Sequence, residues 1–228
     1  MPSSWWTPID AYCERTEPSF WAEPLNAVSN AAFLMAAAYA FILWRRKGGR
    51  DWPALWLVAV TTVVGIGSFL FHTFANCWSL LADVLPIAVF IYSYFLLAMR
   101  RYLGLALLPA VGVTGFFILF NMGTEQVWSS LLPGFTLNGS VGYIPAVLAL
   151  LAVGAACLVI KRSGAGRALL LAAGILTVSL VLRSIDAMVC PAWPWGTHVF
   201  WHLLNGLVLF LLMRTAILHA PPPASVPR

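Results

Sequence analysis

The sequence predicts an all-α membrane protein, a bundle of seven transmembrane helices. Of its 228 residues, 61% are hydrophobic and only 9% are charged, whereas a soluble domain carries about a quarter charged residues. Seven apolar segments, each near the roughly 20 residues that a spanning helix needs, follow one another at short spacing. Because backbone groups in lipid must be hydrogen-bonded within their own segment, these segments predict helices rather than strands.

The predicted elements begin after an amino-terminal arm. Residues 1–25 are acidic and rich in tryptophan, lack the apolar stretch of a cleavable signal, and suit the lipid headgroup region. The predicted helices are Asn26–Trp44, Pro53–Thr73, Leu80–Met99, Leu103–Asn121, Val141–Ile160, Ala168–Val189 and Thr197–Leu218. We therefore expect an extracytoplasmic arm over 1–25, a seven-helix domain over 26–219 and a proline-rich, disordered cytoplasmic tail over 220–228.

Basic residues in the loops predict the orientation of the bundle. They follow the first and third helices, separate the fifth from the sixth and lie near the end of the seventh. They are Arg45, Arg46, Lys47, Arg50, Arg100, Arg101, Lys161, Arg162, Arg167 and Arg214. The opposite side holds the acidic arm, Glu125 and one clear cation, Arg15. The positive-inside rule then predicts an extracytoplasmic amino terminus and a cytoplasmic carboxyl terminus, and the net charge of +5 does not indicate nucleic acid.

Five polar residues fall at one depth in this topology. Ionisable side chains within a membrane are costly and are candidates for functional sites. His72 lies near the end of the second helix, Asp83 lies one turn into the third, and His198 and His202 occupy the first two turns of the seventh. Ser68 precedes His72 by four residues and so shares its helix face. All five are expected in the extracytoplasmic layer.

The three histidines suit a zinc ion. Three neutral imidazoles leave one position of tetrahedral zinc open for water, and the metal lowers the pKa of that water to about 7. Asp83 would then accept the proton of the water or hold a ligand imidazole, and Ser68 could stabilise an oxyanion. Other interpretations stay open: hydrogen bonding between helices, haem binding by the histidines, and an ion pair between Asp83 and Arg183.

Several stretches of the chain, in this order and spacing, resemble one family. The resemblance rests on four motifs. Near the amino terminus these are YCER and WAEPLNAVSN. Further along are SFLFH, which ends at His72 and is followed eleven residues later by Asp83, and then GTHVFWHLL. The family that these motifs resemble is the alkaline ceramidases. These belong to a larger group of seven-helix proteins that includes progestin and adiponectin receptors. The resemblance spans Tyr12 to the seventh helix. It implies that Ser68, Asp83 and the three histidines form a zinc amidase site for ceramide, cleaved to a sphingoid base and a fatty acid.

The resemblance also implies a calcium site in the arm. In the family the segment before the first helix binds calcium, and Glu14 and Glu23 match two of its acidic positions, with Asp10 and Tyr12 nearby. The chain departs from the pattern because it has Ala11 where the family has an aspartate two residues before the cysteine. Since calcium prefers six to eight oxygen ligands, a calcium site and a solvated acidic arm both stay open.

Two pairs of residues are expected to support the site. Cys13 and Cys190 match cysteines in the ceramidase pattern and lie on the predicted outer side, which is an oxidising compartment. We expect a disulfide between them that ties the arm over the site. Arg183 and Asp186, toward the outer end of the sixth helix, are expected to support the zinc layer structurally.

These observations favour a zinc-dependent amidase that receives a membrane lipid, ceramide or another N-acyl lipid, sideways between its helices. Apolar residues of the fifth to seventh helices would hold the acyl chain. The alternative is a non-catalytic zinc receptor or sensor of the adiponectin-receptor type, although such relatives are expected to have the opposite orientation. The short loops and the Ala/Leu-rich composition favour a bacterial inner membrane, or an endoplasmic reticulum or Golgi membrane in a eukaryote. No oligomeric state is indicated.

Overall fold

The computed structural model describes residues 4–220, and these residues form a helical bundle. Its helices are α1 Pro24–Ser29, α2 Ala31–Arg46, α3 Trp52–Phe74, α4 Cys77–Arg101, α5 Leu107–Leu131, α6 Ile144–Val159, α7 Ser163–Val189 and α8 His198–Leu218, with 3₁₀ turns at Leu137–Gly139 and Val141–Tyr143. In this described part of the chain, seven stretches are long and apolar enough to cross a membrane, with α1 and α2 counting as one. Within residues 4–220 there is no β-strand. The predicted fold class is therefore confirmed.

Side-chain caps fix where two of the central helices begin. Before α4, Asn76 accepts a hydrogen bond from the Ser79 amide, and the Ser79 hydroxyl accepts one from the Asn76 amide, which forms a capping box. This cap starts the helix at Cys77, three residues before its apolar run. Before α3, Asp51 accepts from the Ala54 amide. Both caps satisfy first-turn amides that have no partner within the helix.

The largest difference from the predicted elements is in α5. The prediction ends this helix at Asn121, whereas the structure extends it to Leu131. The apolar run does stop at Asn121, but the following residues include Glu125 and Gln126, which favour helix. The first proline after the run is Pro133. Hydropathy alone therefore marks the membrane-spanning part and misses the polar turns that continue the helix.

One end of the bundle, which we call the basic end, gathers the arginine-rich loops. Arg101 forms an ion pair with Asp51 at 2.8 Å and donates to the carbonyl of Ala216. Arg162, in the turn before α7, donates to the carbonyl of Arg101. These contacts join four loops or helix ends, which agrees with the prediction that the basic loops lie on one side of the bundle. The assignment of this end to the cytoplasm stays a prediction from the positive-inside rule.

The opposite end is covered by the arm, and we call it the arm end. The amide of Ile9 donates to the carbonyl of Ala75, just after α3, and a disulfide joins Cys13 to Cys190 at the end of α7. The predicted disulfide is thus confirmed. The tail predicted over 220–228 lies outside the described residues apart from its first residue.

Candidate metal centre

The three histidines meet beneath the arm. His72 lies in the last turn of α3, and His198 and His202 lie in the first two turns of α8. One ring nitrogen from each lies within 4.8 Å of the other two, and each residue is only 1% exposed. Among residues 4–220 this is the one group of histidine, cysteine or acidic side chains close enough to hold an ion. The structure therefore brings together the residues that the sequence nominates as zinc ligands.

His72 is oriented by a carboxylate. Its Nδ1 lies 2.6 Å from Oε2 of Glu23, and the other oxygen of Glu23 accepts from Nε of Arg15 at 2.5 Å. Burial alone would raise the pKa of Glu23, but the bonds and charges of His72 and Arg15 outweigh burial and hold that pKa below its usual value. Because an ionised carboxylate only accepts, Nδ1 of His72 donates to Glu23, and the neutral form of this imidazole would present the lone pair of Nε2.

His202 is oriented by a hydroxyl in the same way. Its Nδ1 lies 2.7 Å from Oγ of Ser29, and that hydroxyl donates its single proton to the carbonyl of Asn26 at 2.9 Å. Ser29 must therefore accept a hydrogen bond from Nδ1–H of His202. The remaining nitrogen of His202, Nε2, again keeps its lone pair.

These tautomers fit a metal ion. Three buried ring nitrogens have no hydrogen-bond partner, and they are Nε2 of His72, Nδ1 of His198 and Nε2 of His202. Buried polar atoms without partners are uncommon and call for an explanation. Since metal-binding histidines usually donate their other ring N–H to a carboxylate or another acceptor, the donor set fits a zinc ion with three imidazole ligands.

His198 is held by Asp186 and Tyr12. Asp186 is fully buried, and its Oδ1 accepts from the amides of Thr197 and His198 at 2.6 and 2.9 Å, which caps the first turn of α8. Its other oxygen accepts from the amide of Cys13. The ring of Tyr12 stacks on the His198 ring with centroids 3.6 Å apart. Burial raises the pKa of Tyr12, so this hydroxyl stays protonated.

Ser68 and Asp83 lie where α3 and α4 pack very closely. A Cβ on Gly67 would lie 1.9 Å from the carbonyl oxygen of Ala82 and 3.3 Å from the amide nitrogen of Asp83. Ser68 and Asp83 are both buried, and Oδ1 of Asp83 has no hydrogen-bond partner. A buried carboxylate oxygen of this kind is able to accept a proton during a reaction.

Arg183 contributes to an aromatic wall instead of pairing with Asp83. No ion pair joins these two side chains in the described part of the chain. The guanidinium lies over the rings of Tyr12, Tyr143 and Trp201, at 5.7, 5.5 and 4.9 Å from their centroids. These are cation–π distances. The alternative ion pair is therefore not formed, and Arg183 supports the tyrosine that covers His198.

The residues nominated for calcium have other partners. Both oxygens of Glu14 accept backbone amides, from Leu25 at 2.6 Å and Asn26 at 2.8 Å. Burial raises the pKa of Glu14 in spite of those two bonds. Asp10 is exposed, and Glu23 is bound to an arginine and a histidine as described above. Glu14 and Glu23 both bond to Asn26, but these carboxylates do not form a group of three or more metal ligands in residues 4–220. With their present partners they do not fit a calcium ion. Calcium binding itself is not tested and stays a prediction.

An apolar cavity begins beside two aromatic residues that neighbour the metal centre and extends toward the basic end. Phe33 and Trp201 line it, and their rings lie against those of His202 and His198 respectively. Along α8 the lining runs from Trp201 to Leu212, which corresponds to about 16 Å of helix. Nearly all lining side chains are apolar. The cavity therefore suits a hydrocarbon chain whose polar end lies near the histidines.

Fold and site together define a seven-helix membrane protein with a buried three-histidine centre. The family model described as Ceramidase matches residues 10–220. The chain therefore belongs to the ceramidase family, and the predicted family is confirmed. This membership supports hydrolysis of the amide bond of ceramide in general. A comparison with curated proteins found no match.

The partners that orient the histidines do not follow from the sequence patterns. Ser29 received no role, and Glu23 was assigned to calcium although its carboxylate contacts His72. Arg15 was noted only for its charge. A signal was present, because Glu23, Asn26 and Ser29 all lie within WAEPLNAVSN, a stretch that carries the family resemblance.

Proposed function

We propose that the protein is a zinc-dependent hydrolase that cleaves the N-acyl amide bond of ceramide within the membrane. The products are a sphingoid base and a fatty acid. The observation that carries this proposal is the buried group of three imidazoles, each with a ring nitrogen that has no hydrogen-bond partner, and an apolar cavity lies close to this group. Family membership supports ceramide as the substrate class.

His72, His198 and His202 would hold the ion. A bound zinc acts as a Lewis acid that polarises the amide carbonyl and makes a water molecule more acidic. Glu23 and Ser29 fix two of the imidazoles in the tautomer that this requires.

Asp83 and Ser68 perform the proton transfer and the charge stabilisation in this proposal. The partnerless Oδ1 of Asp83 accepts a proton from the attacking water and returns it to the leaving nitrogen. A carbon–oxygen bond forms and the carbon–nitrogen bond breaks. Ser68, one turn from His72, donates a hydrogen bond to the carbonyl oxygen as negative charge develops there.

The surrounding side chains bind the lipid and exclude water. The apolar cavity holds the acyl chain, and Phe33 and Trp201 separate that chain from the histidines. Tyr12, Arg183 and the arm cover the polar end. A dry site strengthens each electrostatic interaction in it.

Lipid mass spectrometry on the purified protein tests this function. Protein loaded with zinc should release fatty acid and sphingoid base from ceramide in a mixture of N-acyl lipids. The release should stop when a chelator removes the metal and resume when zinc is restored. Protein that retains zinc but turns over no N-acyl lipid would overturn the proposal and favour the sensor alternative.

A further inference from the structure

The guanidinium of Arg15 is enclosed by oxygen atoms. Its Nε donates to Glu23 at 2.5 Å, Nη1 donates to the carbonyls of Glu17 and Ser19, both at 3.3 Å, and Nη2 donates to the carbonyl of His72 at 3.2 Å. Arg15 is only 7% exposed. A carboxylate and three backbone carbonyls, from the arm and from the end of α3, thus converge on one positive charge. We call these four groups the oxygen cage.

The oxygen cage needs a cation. Carboxylate and backbone carbonyl oxygens are the ligands that hard divalent cations take in proteins. The His72 carbonyl belongs to the last turn of α3, where carbonyls lack a partner within the helix and favour positive charge. Glu17 and Ser19 are exposed, but the Glu23 carboxylate and the His72 carbonyl are buried. Without a cation these two buried acceptors would lose the charge that compensates them, which is costly.

Arg15 also reaches the metal centre through one intermediate residue. Its Nε donates a hydrogen bond to one oxygen of Glu23, and the other oxygen of Glu23 accepts a hydrogen bond from Nδ1 of His72. The same guanidinium bonds to the backbone of His72. Arg15 therefore holds both the side-chain partner and the main chain of this histidine, whereas an exposed ion pair would constrain neither.

We propose that Arg15 is a built-in cation, which occupies the place of a bound divalent ion and fastens the arm over the metal centre. The arm of this chain is consequently independent of calcium. Arg15 is a positioning residue for His72, acting through Glu23. This inference does not rest on the identity of the substrate.

The melting temperature of the wild-type protein in detergent is the first test. With zinc kept at a saturating concentration throughout, it should be the same in excess calcium and in calcium-free buffer. Arg15→Ala should lower it by about 5 °C or more, because the buried Glu23 carboxylate loses its arginine partner. Arg50→Ala, which removes an exposed arginine at the basic end, should not change it. A zinc-loaded wild-type protein that is less stable in calcium-free buffer than in calcium would overturn the proposal, as would an Arg15→Ala protein as stable as the control.

A charge reversal gives the complementary test. Arg15→Glu places a second carboxylate in the oxygen cage, so calcium should raise the melting temperature of this variant and leave that of the wild type unchanged. An equal effect of calcium on both proteins would contradict the inference. Arg15→Lys keeps the charge but not the planar fork. The melting temperature of Arg15→Lys should lie between those of the wild type and Arg15→Ala. This variant tests the proposal if the other variants do not fold.

Zinc retention tests the positioning role apart from stability. Arg15→Ala should bind zinc about 10-fold more weakly than the wild type in competition with a chelator. Arg50→Ala should match the wild type. If Arg15→Ala binds zinc as tightly as the wild type, Arg15 does not position His72, even if the melting temperature of this variant is lower.

Discussion

His72 and His202 each depend on a residue that precedes α2 in the chain. Glu23 accepts from one imidazole, and Ser29 accepts from the other. Both partners lie within seven residues of each other around α1, so this short helix positions two of the three candidate ligands. The third, His198, takes its position from Asp186 and the stacked ring of Tyr12. The orientation of all three histidines therefore depends on contacts with residues outside the metal centre.

Asp83→Asn tests the proton-transfer role. The amide keeps the shape of the side chain but cannot accept a proton, so ceramide turnover should fall by about 10² to 10⁴-fold. Zinc content, measured by elemental analysis, should stay at the wild-type level. Glu125→Gln makes the same chemical change at an exposed position of α5 and should retain full turnover. Wild-type turnover in Asp83→Asn would exclude the proposed role.

Ser29→Ala tests the support of His202. Without the hydroxyl, Nδ1–H of His202 loses its acceptor and the imidazole is no longer held in one orientation. Zinc affinity, measured by chelator competition, should fall about 10 to 100-fold. Ser129→Ala removes an exposed serine hydroxyl from α5 and provides the control. If both serine variants bind zinc equally well, Ser29 does not orient the ligand.

At the scale of helices, hydropathy predicts the spanning elements because lipid leaves the backbone few alternatives. All seven predicted segments correspond to helices of the structure. Their ends were less predictable, since Asn76 and Asp51 extend helices through polar caps and α5 continues past Asn121. The three histidines followed from depth and spacing, whereas Ser29 and Arg15 did not. Their roles depend on how the arm and α1 fold back over α3 and α8, which no local pattern in the sequence specifies.

Gly67→Ala tests the close approach of α3 and α4. The added methyl would meet the carbonyl of Ala82, and neither backbone can yield without separating the helices that carry Ser68 and Asp83. We expect a destabilisation of about 1 to 3 kcal/mol and loss of turnover. Gly112→Ala, at an open position on α5, should be neutral or stabilising. Thermal unfolding in detergent and ceramide turnover measure both effects, and equal behaviour of the two variants would contradict the packing argument.

At the scale of the whole molecule, the bundle separates a polar end from an apolar interior. The arm, tied by the disulfide between Cys13 and Cys190, covers the histidines, and the cavity extends away from them toward the basic end. A lipid could place its polar group near the histidines and its long hydrocarbon chain in the apolar cavity. The cavity ends where α4 approaches its last turns, at Tyr94 and Ala98. Its depth should therefore limit the length of the acyl chain.

Ala98→Leu tests this limit. The larger side chain fills the far end of the cavity, more than ten residues along α4 from Asp83, and leaves the metal centre unchanged. Turnover of ceramides with long acyl chains should fall relative to those with short chains, because the lost space excludes roughly the last few carbons. Ala38→Leu makes the same change at an exposed position of α2 and should keep the wild-type preference. The ratio of turnover for two ceramides that differ only in acyl length measures the effect. An unchanged ratio in Ala98→Leu, with zinc content intact, would place the acyl chain outside this cavity.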